Sequence, residues 1–320
     1  MPELSVIIVN WNCLSYTRSS LASIVAGRQG LDLEVIVVDN ASTKDDLDSF
    51  QTQFPDIKLI RSHVNLGFAG ANNLGFEHSS GRYLLFLNPD TEVLNDALPR
   101  MVGHMTDLPE VGILGCMLLN SDRTIQTSCI QRFPTILNQV LDLEVLRVRW
   151  PGWKLWGIAP LFSQPGKPIP VEVITGACLM IRRDVFEQVG FFSREFFMYA
   201  EDVDLCYKVH QLGLKCYFAA DARVVHHGGG SSKQKEGNQW ATVMQRKAIL
   251  QFCQKTRGPS YALLYRITIG LSALGRLATV MMVWPFRTAR QTHQLHLAWQ
   301  KWTAVSKWAF GFDHLTSSVS

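Results

Sequence analysis

A chain of 320 residues, 47% of them hydrophobic, is long enough to bury one large core or two smaller ones. Its net charge of +4 hides a division. Residues 231–320 hold twelve Lys and Arg against two acids, Glu236 and Asp313, a surplus of ten that leaves the first 230 residues at −6. An acidic body with a basic tail points to two jobs in one chain, and internal repeats and low-complexity segments are excluded.

The opening run goes straight into Leu4–Val9 with no basic n-region and no small-residue cleavage site, so no signal peptide is expected. Seven scattered cysteines show neither paired nor metal-type spacing and read as reduced core thiols in a cytosolic setting. Leu4–Asn10 is a short β-branched apolar run, as for a strand buried on both faces. A helix over Leu14–Ala26, a strand over Leu33–Val38, a helix over Asp45–Phe54 and a strand over Ile57–Arg61 follow. Such alternation predicts a parallel, doubly wound sheet whose ligands lie beyond the carboxyl ends of the strands. Asp39 sits at one such end. It reads either as a turn or N-cap residue or as a carboxylate for a nucleotide base or ribose.

Asn65-Leu66-Gly67-Phe68-Ala69-Gly70-Ala71-Asn72-Asn73 comes after the third strand. Gly67 and Gly70 allow close backbone approach to a ligand at a helix N-terminus, although tight strand–helix turns use glycine without any ligand. The dinucleotide spacing G-x-G-x-x-G is absent. Tyr83–Leu87 is another buried strand, ending in Asn88-Pro89-Asp90-Thr91-Glu92. Two acids one residue apart at a strand end suit a hard divalent cation that completes its shell with phosphate oxygens; the plain alternative is a Pro-Asp turn. Val111–Leu118 is a further strand. From Gln131 to Pro170 the pattern loosens into an insertion with long loops, the expected place for acceptor contacts. Val171–Arg182 returns to strand character around Thr175-Gly176-Ala177, and Asp184 is expected to cap a short helix ending at Gly190.

Phe196-Phe197-Met198-Tyr199-Ala200-Glu201-Asp202-Val203-Asp204 then places three acids in the first turn of a helix that continues through Leu205, Val209 and Leu212. Acids suit the positive end of a helix dipole without further purpose. Their aromatic approach and the motifs around them favour a catalytic carboxylate. Glu201 and Asp204 share one face and Asp202 points elsewhere. Lys215–Phe218 is a strand. Val224-Val225-His226-His227-Gly228-Gly229-Gly230-Ser231-Ser232 follows, a histidine pair before a glycine hinge able to close a loop on phosphate. His226 is the better ligand candidate.

Together these motifs, from about residue 4 to 232, resemble the inverting, metal-dependent nucleotide-sugar glycosyltransferases of family 2. Within that family they are most similar to bacterial rhamnosyltransferases of polysaccharide and O-antigen synthesis. The resemblance implies a GT-A α/β fold, a mostly parallel central sheet with flanking helices. Residues 1–110 would form the nucleotide-sugar-binding half, 111–232 the acceptor-binding and catalytic half, and 233–320 a basic amphipathic helical extension. It implies Asp39, Asn65, Gly67, Gly70, Asn73, Asn88 and Asp90 for the donor nucleotide. Asp90 and His226 would bind Mg²⁺ or Mn²⁺, and Asp202 would be the base. Gly176, Glu201 and Asp204 would lie beside the acceptor or behind the first contacts. Asn88 replaces the first Asp of the family's Asp-x-Asp motif, so a second direct carboxylate ligand is not implied; Glu92 is a weak substitute. The chemistry fits. A carboxylate takes the acceptor hydroxyl's proton, with Glu201 and Asp204 expected to raise the pKa of Asp202, while a cation stabilises the departing diphosphate. A Gln-x-x-Arg-Trp motif is absent, which favours transfer of one or a few sugars per acceptor.

In the tail, Gln239–Lys255 reads as an amphipathic helix, and Tyr261–Phe286 is strongly apolar but interrupted by Arg266 and Arg276. An Arg near the middle of a span costs about 2.5–3.5 kcal/mol, so in-plane burial is expected rather than crossing. Arg287, Arg290, Lys301 and Lys307 alternate with Trp299, Trp302 and Trp308, as an interfacial helix on anionic lipid requires; the alternative is a helical subdomain packed on the catalytic body. Nucleic acid is not expected as a partner. The overall expectation is a cytoplasmic enzyme held peripherally at the inner membrane face. It would move a sugar, rhamnose from dTDP-rhamnose, to a lipid-linked or oligosaccharide acceptor. The competing readings are a sugar-phosphate nucleotidyltransferase, which would want a basic Gly-rich loop where Trp11-Asn12-Cys13-Leu14 stands, and a non-catalytic nucleotide- or glycan-binding protein.

Overall fold

The computed structural model describes residues 2–141, 149–150, 152–153, 161–162, 166–228, 239–286 and 289–312. Two compact units are present. The first comprises Met1–Phe133, Pro151–Phe197 and Glu201–Ser231; the second comprises Pro134–Trp150, Met198–Ala200 and Ser232–Ser320. One boundary between the two units falls at Ser231/Ser232. Residues 134–150 of the expected acceptor insertion belong to the second unit. Trp156-Gly157 and Pro165 in that insertion, and Gly229–Ser232 of the glycine hinge, lie outside the described residues.

The first unit is built on strands β1 (Leu4–Asn10), β2 (Leu33–Asn40), β3 (Lys58–Ser62), β4 (Tyr83–Leu87), β5 (Thr91–Val93), β6 (Val111–Leu119), β7 (Ile130–Gln131), β8 (Ile169–Val171), β9 (Val173–Ile174), β10 (Cys178–Arg182) and β11 (Lys215–His226). Its helices are α1 (Leu14–Gly27), α2 (Leu47–Gln53), α3 (Gly67–Glu77), α4 (Ala97–Asp107), α6 (Arg183–Gln188) and α7 (Glu201–Gln211). α5 (Ile136–Val140) belongs to the second unit. The main sheet runs β3-β2-β1-β4-β10-β6-β11-β5, with β8 added beside β11. β4 and β6 are buried along their whole length, as helices on both faces require.

The sheet is not parallel throughout. β10 runs antiparallel between β4 and β6, and β5 runs antiparallel to β11. This departure positions the site. A parallel strand delivers its carboxyl end to the ligand edge, and an antiparallel neighbour brings its approach segment to the same edge. The Thr175-Gly176-Ala177 segment therefore meets the end of β4, where the Asn88 amide donates to the Ala177 carbonyl at 3.0 Å. Strand β11 extends well past Phe218 to end at His226, opposite Thr91. Asp184 is not the cap of α6. The N-cap position is Arg182, and Asp184 lies in the first turn with both carboxylate oxygens on the Arg182 guanidinium.

The second unit contains α5, α8 (Gln239–Arg257), α9 (Pro259–Val283) and α10 (Ala289–Ala309). Pro259 opens α9 directly after Gly258, whose φ of +86° favours glycine. Tyr265, Ile269 and Ala273 of α9 pack with Val243 and Cys253 of α8 and with Val305 and Trp308 of α10. Gly270 lets α9 and α10 approach, since a Cβ there would stand 3.0 Å from that of Ala309. Arg266 and Arg276 both turn into this unit. Arg266 donates to the carbonyls of Trp308 and Ala309, and Arg276 donates to Val140 and stacks 4.2 Å over Trp302. Trp308 is buried, and Trp302 lies beneath the Arg276 guanidinium.

Candidate active site

Most of the predicted residues gather at the carboxyl edge of the main sheet. Asp90 follows β4 and is buried; its backbone carbonyl accepts from the His227 amide at 2.9 Å, which fixes the end of β11 against it. His226 Nε2 then faces Asp90 Oδ1 at 3.3 Å and Asn88 Nδ2 at 3.2 Å. The other ring nitrogen, Nδ1, meets Gln126 Oε1 at 2.8 Å.

A chain of hydrogen bonds decides which nitrogen carries the proton. The hydroxyl and amide of Thr124 hold Asp122 below the usual carboxylate range, so Asp122 accepts only, and the Thr124 hydroxyl donates to it at 2.6 Å. Thr124 Oγ1 in turn accepts from Asn120 Nδ2 at 2.9 Å, which leaves Asn120 Oδ1 to accept from Gln126 Nε2 at 3.1 Å. Gln126 therefore presents its oxygen to His226, and Nδ1 is the donor. Nε2 then stands between the Asn88 side-chain amide, which donates to it, and Asp90 Oδ1. A cation could sit between Nε2 and Asp90 only by displacing that amide, with Gln126 the outer partner that fixes the tautomer. Asn88 contributes an amide rather than a second carboxylate. Among the described residues no group of three His, Cys, Asp or Glu is placed to hold a metal, so a cation here would depend on other oxygens. Gln126, a hundred positions from His226 in sequence, carries no signal in a chain read by motif.

Glu92 and His227 go elsewhere. Glu92 pairs with Arg123 at 3.3 Å, and His227 Nδ1 lies 2.9 Å from Ser121 Oγ.

Asp202 enters from α7. Tyr199 and Ala200, both with positive φ (71° and 62°), turn the chain into the helix. Asp202 Oδ2 accepts from the Gly176 amide at 2.9 Å, and Oδ1 from the Val203 amide at 2.8 Å. Gly176 has no room to grow. A Cβ would stand 3.2 Å from the Phe68 ring and 3.6 Å from the Asp202 Cβ. Asp202 thus connects through Gly176 and Ala177 to Asn88, and through Asn88 to His226 and Asp90. The base candidate and the cation candidates share one edge of one sheet. Burial raises the pKa of Asp202, against hydrogen bonds from Gly176, Val203 and Thr175 that lower it. Glu201 and Asp204 are not the cause expected from the sequence. Glu201 is itself pushed well up, by burial first and by the charge of Asp202 second, and its Oε2 has no hydrogen-bond partner among the described residues. Asp204 faces inward, accepting from Ser193 Oγ at 2.6 Å and lying 3.7 Å from Lys208 Nζ.

The 65–73 segment lies beside Asp202. Gly67 has φ +70°, and a Cβ there would fall 2.3 Å from the Phe197 carbonyl, which accepts from the Phe68 amide at 2.9 Å. Gly70 stands one turn into α3, close to Leu66. Asn65 Oδ1 accepts from the Gly67 amide and from Asn40, which also braces the Leu66 amide. Asn73 is buried with both ends of its amide on the backbone of Phe192, so it holds two segments together. Asp39 is buried at the end of β2, accepting from Asn10 at 3.0 Å and from the Ser42 amide at 3.1 Å. It is a turn-forming carboxylate in this geometry, and each oxygen retains a further acceptor direction.

The comparisons with known proteins agree on the family. Residues 5–190 match the family described as Glycosyl transferase family 2. The O-antigen biosynthesis protein RfbC of Myxococcus xanthus is 27% identical over 236 residues, covering 72% of this chain and 18% of that protein's length. The N-acetylglucosaminyl-diphospho-decaprenol L-rhamnosyltransferase of Mycobacterium tuberculosis is 27% identical over 242 residues, covering 72% of this chain and 77% of the other. Among solved structures, the mannosyltransferase PcManGT of Pyrobaculum calidifontis, in complex with GDP-Man and Mn²⁺, has a TM-score of 0.56. At 18% identity it covers 97% of this chain and 86% of its own, a likeness of fold. With the motifs at the sheet edge and a family match over more than half its length, this chain belongs to glycosyltransferase family 2.

Proposed function

We propose that this chain transfers a sugar with inversion from a nucleotide sugar to a glycan or lipid-linked acceptor in the synthesis of a cell-surface polysaccharide. The carrying observation is the hydrogen-bonded run from Asp202 through Gly176 and Ala177 to Asn88, His226 and Asp90. It supports a cleft in which a proton acceptor and a phosphate-side cation site face one donor. Asp202, with its pKa raised by burial, takes the proton of the attacking hydroxyl as that oxygen closes on the anomeric carbon. Asp90 and His226 would hold Mg²⁺ or Mn²⁺, which when bound stabilises the charge gathering on the departing diphosphate. Asp39 and the Asn65–Gly70 segment are the surfaces offered to the nucleotide. Rhamnose from dTDP-rhamnose is the donor favoured by the rhamnosyltransferase relative. A lipid-linked acceptor at the inner membrane face suits the basic second unit.

The test is release of nucleoside diphosphate from a panel of nucleotide sugars, with Mg²⁺ or Mn²⁺ present or chelated. Asp202→Asn is expected to lower turnover by about 10²–10⁴-fold while donor binding by calorimetry survives. Loss of donor binding together with turnover would remove Asp202 from the base role.

A further inference from the structure

The exposed apolar surface of the second unit is concentrated on one helix. Leu263, Leu264, Ile267, Leu271, Leu274, Met281 and Met282 of α9 are all exposed, Leu264 by 52%, Leu271 by 58% and Met282 by 68%. At 3.6 residues per turn they fall within an arc of about 100° and run for about 28 Å along the axis. That arc holds no charged residue. Arg266 and Arg276 lie outside it and are turned into the unit, onto backbone carbonyls of α10 and α5 and onto Trp302. Tyr265, Ile269, Ala273 and Val280 bury the opposite side. A soluble subdomain has no use for seven large apolar side chains lined up in water.

We infer that this stripe is a membrane-docking face, on which α9 lies flat in the headgroup region of an anionic lipid surface. The occupant is chosen by charge. The surplus of ten positive charges over residues 231–320 attracts acidic lipid and repels a second copy of the same unit. Crossing the bilayer is disfavoured although α9 is long and apolar enough for it, with a mean hydropathy of 1.3. Its inner side packs on α10, whose His293, Gln294, His296 and Lys301 are exposed and would be drawn into hydrocarbon with it. The anchor is therefore the stripe on α9, rather than the Trp-rich helix α10 that the sequence offers.

The face gives the proposed lipid-linked acceptor a surface on which to meet the enzyme. It rests on that reading only for its purpose, since docking is measured without donor or acceptor. The full chain is sedimented with phosphatidylcholine vesicles with and without phosphatidylglycerol. Binding is expected only with phosphatidylglycerol and is weakened by salt. The double variant Leu264→Glu/Leu271→Glu is expected to bind at least about a hundredfold more weakly, from two lost Leu insertions, with its melting temperature and its turnover on a water-soluble acceptor unchanged. The milder Leu274→Ala and Met282→Ala changes, which add no charge, should each weaken binding a few-fold. Unchanged binding by the double variant overturns the inference. So does resistance of the membrane-bound parent to an alkaline carbonate wash, the mark of a spanning helix. A dimer in light scattering that the double variant dissolves, with vesicle binding intact, would assign the stripe to self-association instead.

Discussion

Replacing Gln126 by Leu isolates the relay that fixes His226. The substitution removes the acceptor 2.8 Å from Nδ1 and releases the imidazole to present either tautomer at Asp90. A half-buried N–H left without a partner costs about 1–3 kcal/mol. Outer-shell partners of metal-binding histidines carry about 10–100-fold in metal affinity. The two figures agree on a rise of roughly one to two orders of magnitude in the concentration of Mn²⁺ needed to support nucleoside diphosphate binding, read by calorimetry. Gln126→Glu keeps an oxygen acceptor for Nδ1 while losing the bond to Asn120 Oδ1, and is expected to stay within a few-fold of the parent. Nitrogen chemical shifts of His226, measured without metal, should report Nδ1–H in the parent and a mixture in Gln126→Leu. An unaltered Mn²⁺ requirement and an unaltered tautomer in Gln126→Leu would refute the reasoning, because the ring would then be oriented by something other than this relay.

Glu201→Gln tests the buried acid beside the base. Its raised pKa means the folded chain keeps a proton that the unfolded chain releases above about pH 4.3. The parent therefore loses stability as pH rises from there, by up to about 1.4 kcal/mol per pH unit, until the raised value is passed. Gln cannot ionise, so the melting temperature of the variant should be flatter above about pH 5 and higher at the alkaline end. Gly67→Ala forces a Cβ to 2.3 Å from the Phe197 carbonyl at a positive φ, and should cost more than about 2 kcal/mol in urea unfolding while disturbing donor binding. Asn73→Leu leaves the Phe192 backbone groups unsatisfied, which should cost about 1–3 kcal/mol in the same assay and leave donor affinity intact.

Much of the catalytic unit was legible in order along the chain. Buried parallel strands are continuous apolar runs, so β1, β2, β4 and β6 announce themselves, and polar residues that break such a run at its carboxyl end, as Asp39 and Asn88-Pro89-Asp90 do, mark the ligand edge. Strand direction was not legible, because a pattern of apolar residues reads the same in a parallel and an antiparallel neighbour. β10 is antiparallel, and that alone carries Gly176 to Asp202 and Ala177 to Asn88.

By itself the sequence determined which residue types stand at strand ends and helix starts, since local periodicity and the acids of the first helical turn are properties of neighbours in the chain. Only the tertiary structure decided what each polar side chain meets. Asn73 and Asp204 turn inward, Arg266 and Arg276 leave the apolar stripe of α9 uncharged, and Gln126 reaches His226. The reason is physical. A hydrogen bond or a stacked ring depends on the few ångströms between groups far apart in sequence, and those separations exist only once the sheet and the helices have packed.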